Sequence, residues 1–171
     1  MRLGAPPKGR TLVEILSVLA VLLVLTSTAW PALLELAATQ RQEAARAALS
    51  AHIAYARAAA ISGGWRVALA PLRSTGWSAG WRVYQDRNAN GSLDPGETVL
   101  IEHTVEGVSV ATGSPRARYV GFEALGHPVQ ASGAFFAETF SICATRAPQT
   151  YRLVISKTGR VKALKIPTPC D

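Results

Sequence analysis

A lone carboxylate set against a lipid-length apolar run constrains this chain more than any other feature. From Ile15 to Leu25 the sequence is apolar except for Ser17, and with small polar interruptions it stays so to about Leu36. A bilayer-spanning helix needs about 20 such residues. Glu14 stands at the start of the run. A charged group at bilayer depth is expensive, roughly 3 kcal/mol on insertion scales, and a plain anchor has no use for one. Arg2, Lys8 and Arg10 precede the run, which predicts a cytoplasmic amino terminus and an exported remainder. A secretory signal peptide fits poorly, because its apolar core ends in a small-residue cleavage site and has no need of an acid.

The helix should continue past the lipid. Leu33 to Ile61 is rich in Ala, Leu, Gln, Glu and Arg, all good helix formers. Leu49, Ile53, Ala56 and Ala60 fall at helical spacing, which predicts one apolar stripe packed on a sheet, with Arg41, Glu43, Arg46 and Arg57 toward water. Gly63-Gly64 supplies the stop. Beyond it the texture changes to short β-like runs between turn residues. Strands are expected near 65–69, 80–85, 98–103, 108–111, 118–122, 134–143, 150–156 and 161–166. The expected architecture is α+β: a long helix over 10–62, membrane-spanning over about 12–34, packed on a mainly antiparallel head over 63–171.

The residues before the helix carry a resemblance. Gly9 followed by Arg10-Thr11-Leu12-Val13-Glu14 resembles the leader of type IV pilins and type II secretion pseudopilins. The stretch Gly80-Trp81-Arg82-Val83-Tyr84 leading into Asp86-Arg87-Asn88-Ala89-Asn90-Gly91, the late Ser156-Lys157-Thr158-Gly159-Arg160-Val161 hairpin and the terminal Cys170 are similar to the GspH/FimT branch, the minor pseudopilins and minor pilins. The resemblance implies a pilin-like fold and a leader over 1–9 that a prepilin peptidase removes after Gly9. It implies methylation of the new amino terminus at Arg10, where the family more often has phenylalanine. It implies that Glu14, fifth in the processed chain, pairs with a neighbour's amino terminus during assembly. Pro31 matches a helix-kinking proline of many pilins. The implied partners are other pilins or pseudopilins, the peptidase and an inner-membrane assembly platform. The implied place is the inner membrane, single-pass with a periplasmic head, and then the filament.

The remaining constellations point less sharply. Gly76-Trp77-Ser78-Ala79-Gly80 satisfies the G-x-S-x-G nucleophile pattern. That elbow requires a strand before it and a helix after it, and here a strand is expected to follow. No enzyme is expected. Asp86, Asn88, Asn90, Asp94 and Glu97, with Gly91 at the turn, fit a twelve-residue calcium loop, but on strand flanks a polar turn competes with that reading. No cofactor is expected, and calcium is the one candidate ion. His52, His103 and His127 read as unrelated residues without metal-ligand spacing. Cys143 and Cys170 are the only cysteines, and in an exported head they read as one disulfide closing a loop of about 27 residues.

Net charge is +7, which favours polyanion partners. Between Thr139 and Cys170 there are six cations and no Asp or Glu. Lys157, Arg160, Lys162 and Lys165 gather in the last hairpin and can grip phosphates without reading sequence, although a solvated face is the competing reading. FimT-type minor pilins bind DNA for natural transformation through a Gly-Arg-x-Arg element, and Gly159, Arg160, Val161 and Lys162 match it with Lys at the last place. The resemblance therefore implies DNA uptake as an alternative role.

Overall fold

The computed structural model describes residues 11–114 and 118–169. One helix, α1, runs from Leu12 to Gly63, 52 residues, or about 78 Å at 1.5 Å per residue. Thr11 caps its start: Oγ1 accepts the amide of Glu14 at 3.3 Å. Gly64 ends it in the left-handed conformation, φ 71°, and its amide returns to the Ala60 carbonyl at 3.0 Å. Pro31 lies inside the helix.

The two halves of α1 differ in what covers them. The apolar side chains from Leu12 to Leu25 are exposed, and the segment is long and apolar enough to cross a membrane. Past Leu36 a stripe turns inward: Ala38, Gln42, Ala45, Leu49, Ile53, Ala56 and Ala60 are all buried. Their spacing of three and four residues keeps one face on the head. Small residues dominate that face, so the helix sits close to the sheets.

Among the described residues nine strands follow: β1 (Val67–Arg73), β2 (Gly76–Gln85), β3 (Val99–Thr104), β4 (Ser109–Thr112), β5 (Val120–Phe122), β6 (Pro128–Val129), β7 (Glu138–Cys143), β8 (Thr150–Ile155) and β9 (Val161–Ile166). They form two antiparallel sheets, ordered β3-β2-β1-β5-β6 and β4-β7-β8-β9. A single core joins both to the helix. Trp77, Trp81, Phe122, Phe140, Ile142 and Leu153 meet the α1 stripe there.

The expected strands shift at their ends for physical reasons. Expected to stop at Leu69, β1 runs through Pro71 to Arg73, and the ladder absorbs the proline with a register shift between Pro71 and Arg73. The run expected over 134–143 divides. Phe135 bridges to Val129 and the Phe136 amide bonds the Pro128 carbonyl, which ties that part to the first sheet, while Glu138–Cys143 belongs to the second. Two-residue β6 is too short to leave a periodic signal.

Candidate functional site

Glu14 sits in the first turn of α1, exposed, with its own amide held by Thr11. The helix dipole favours an acid there. Gly9 and Arg10, the expected cleavage and methylation positions, lie outside the described residues.

Further along, α1 is fastened to the head by polar contacts along its inner side. Gln42 Nε2 donates to the carbonyls of Ile142 and Gln149, each at 2.8 Å, from a fully buried position. Arg46 pairs with Glu43 and lies over the Tyr151 ring, 5.6 Å from its centroid. That contact with Arg46 lowers the Glu43 pKa. Trp81 Nε1 donates to His52 Nδ1 at 2.9 Å, and Arg57 Nε donates to the Gly126 carbonyl at 3.0 Å. Arg46 and Arg57, expected toward water, are half-buried because their guanidinium groups lie against the head.

The histidines correct the sequence reading. His52 and His103 are not unrelated: their ring centroids lie 5.3 Å apart, and both rings pack on Trp81. Burial, with His103 adding to it, pushes the His52 pKa down. His127 is separate and packs edge-on against Phe135.

The serine of the nucleophile pattern lies within β2, and β3 is the next element. Its hydroxyl accepts the Val110 amide at 3.0 Å and contacts the Val110 carbonyl at 3.4 Å, which joins the two sheets. The Asp86–Glu97 segment is a turn tied by its own side chains. Asp86, fully buried, accepts the amides of Asn90 at 3.0 Å and Gly91 at 3.1 Å. Asn88 and Asn90 both donate to Asp94 Oδ2, at 2.7 and 2.6 Å, and Glu97 accepts the amides of Arg87 and Asp94. Burial raises the Asp86 pKa, and the two amides oppose that rise. Among the described residues no three His, Cys, Asp or Glu gather as a metal site.

The basic hairpin is exposed at Lys157, Arg160, Lys162 and Lys165. Strand alternation separates part of the set. Lys165 pairs with Tyr151 and shares its face, where it lowers the Glu43 pKa, whereas Lys162 pairs with Val154 and lies on the opposite face. Gly159, φ 77°, lies against the Gly126 carbonyl and Arg57. At the end of β7, Cys143 is no free thiol, and Cys170 lies outside the described residues.

A family model described as "Type II transport protein GspH" matches residues 45–159, more than half of the chain. The chain belongs to the GspH family. The fold is similar to two solved relatives. One is the type IV minor pilin FimU of Pseudomonas aeruginosa, 23% identical, covering 78% of this chain and 99% of that one, with a TM-score of 0.56. The other is the minor pseudopilin EpsH of the type 2 secretion system of Vibrio cholerae, 14% identical, covering 72% and 96%, with a TM-score of 0.51. A search of curated proteins finds no match. At these identities the likeness shows the fold alone: a pilin-like arrangement of one long amino-terminal helix packed on antiparallel sheets.

Proposed function

We propose that this GspH-family chain is a minor subunit of a type IV pilus or a type II secretion pseudopilus, inserted through the uncovered apolar half of α1. One observation carries the reading: a carboxylate, Glu14, occupies the first turn of a helix whose following apolar side chains have no cover. In lipid that charge is costly until a cation meets it. Cleavage after Gly9 by a prepilin peptidase creates such a cation at Arg10 of a neighbouring subunit, and N-methylation leaves it charged. Arg2, Lys8 and Arg10 favour a cytoplasmic amino end, with the head in the periplasm before the assembly platform inserts the subunit. Pro31 has no N–H for the carbonyl four residues earlier, which lets the helix bend as it leaves the lipid. A bridge from Cys143 to Cys170 is supported by Thr150, whose Oγ1 lies 4.0 Å from Cys143 Sγ and donates to the Thr168 carbonyl at 3.0 Å. The test is Glu14→Ala in cells that assemble the filament. The variant remains in the membrane fraction and is missing from sheared filaments; normal incorporation overturns the mechanism.

A second reading is favoured by the exposed cations Lys157, Arg160 and Lys162 on a hairpin whose own sequence has no Asp or Glu: the head binds DNA by its phosphates. Lys165, on the other face of β9, contributes less. Charge reversal at Arg160 and Lys162 abolishes retardation of DNA in a gel if this holds. Unchanged retardation places any DNA contact elsewhere.

A further inference from the structure

We propose that β9 is a strand-addition site, where an extended acidic segment of another protein subunit joins the second sheet. β9 is the terminal strand of that sheet, pairing only with β8 among the described strands. Its hydrogen-bond phase follows from the hairpin. The Ser156 amide bonds the Arg160 carbonyl at 2.9 Å, so this is a hydrogen-bonded pair. Antiparallel pairs alternate, and the unbroken register makes Lys162, Leu164 and Ile166 the residues that bond β8. Val161, Ala163 and Lys165 therefore direct their amides and carbonyls away from the sheet. These groups form a ready template for one more strand.

Side-chain space lies beside this edge. Val161, Ala163 and Lys165 pair with Ile155, Leu153 and Tyr151, the face that meets α1. A groove of about 430 Å³ runs between that face and the helix, lined by Ala54, Arg57, Ala58, Ile61, Arg160 and Val161 among others. A residue added opposite Val161 would place its side chain over this groove. The apolar floor suits an aliphatic side chain, and the rim carries Arg57 and Arg160. Lys162 stands on the outer face.

Charge selects the occupant. Lys162 and Lys165 along the edge, with Lys157 and Arg160 at its start, repel the same edge of a second copy, a device that guards sheet edges. An incoming strand with an acid beside Lys162 and aliphatic residues beside Val161 and Ala163 is attracted instead. The fitting partner alternates aliphatic and acidic residues over about six positions. The inference needs only the described fold and does not depend on which filament the subunit joins.

The experiment uses the full chain in detergent micelles and residue-resolved amide hydrogen exchange. The probe is a blocked ten-residue peptide of alternating leucine and glutamate. The expected result is exchange slowed about tenfold at Val161, Ala163 and Lys165, with no matching change at the β8-bonded amides. Ala163→Pro removes an outward N–H that bonds nothing in β8, so the melting temperature holds and the protection vanishes. Lys162→Glu is a second variant that leaves the backbone alone; it weakens the acidic peptide about tenfold and favours its lysine counterpart. The proposal is overturned if the acidic peptide slows none of the three amides or if a lysine peptide protects the native edge equally. Protection that survives Ala163→Pro overturns it too, as does slowing of these amides by a DNA oligonucleotide but not by the peptide.

Discussion

Trp81 on β2 donates its indole N–H to Nδ1 of His52 on α1 across 2.9 Å, and this bond ties the helix to the middle of the head. The indole is fully buried. His52 can accept only while Nδ1 carries no proton, so the bond requires the neutral ring. Burial holds the His52 pKa below the ordinary histidine value of about 6.5. The unfolded chain therefore takes up a proton at higher pH than the folded one. The stabilisation is whole above about pH 6.5 and is lost as pH falls through the folded-state value. Melting temperature should decline over that window, and His52→Gln, which keeps an acceptor without a titrating ring, should flatten the decline. His52→Ala leaves a buried donor unpaired and should destabilise by about 1–3 kcal/mol in chemical denaturation at neutral pH. A pH profile unchanged by His52→Gln would remove His52 from this role.

Gly159 holds the β8–β9 turn against the helix. At φ 77° it is in the left-handed region, and an added Cβ would meet the Gly126 carbonyl at 2.5 Å and Arg57 Nε at 3.0 Å. Gly159→Ala should lower stability by roughly 2 kcal/mol, from backbone strain together with the clash, and shift the melting temperature by several degrees. A variant as stable as the parent would mean that this contact yields freely.

The calcium-like loop is expected to be saturated by its own donors. Two backbone amides bind the Asp86 carboxylate, two others bind Glu97, and two side-chain amides bind Asp94. An entering ion would have to displace them. Millimolar calcium should leave the melting temperature unchanged, whereas Asp86→Ala should cost about 1–2 kcal/mol, because the Gly91 amide loses its acceptor and the Asn90 amide keeps only Asn88 Oδ1. A calcium-dependent rise in melting temperature would show that the loop rearranges into a site.

What was legible in the chain follows from periodicity. The stripe through Leu49, Ile53, Ala56 and Ala60 and most strands came from spacing alone, because burial of one face leaves a repeating apolar signal. Gln42 was not legible. A polar residue at a helix position reads as surface, and only two carbonyls brought near by folding explain its burial. The His52–His103 contact was hidden for a similar reason: helix and strand meet in space at Trp81, with no local spacing to mark it. The basic hairpin was visible as charge, but the division of Lys162 from Lys165 required the register of β9 against β8. Arg57 offered no signal at all, since its place beside Gly159 depends on how the turn rests on the helix.

The central claim is that Glu14 serves a processed amino terminus in a growing filament. Intact-mass measurement of the subunit from cells with an active prepilin peptidase tests it most directly. The account predicts a chain that begins at Arg10, lacking Met1 to Gly9 and one methyl group heavier than the bare polypeptide. A product that still carries its first nine residues in those cells would contradict it.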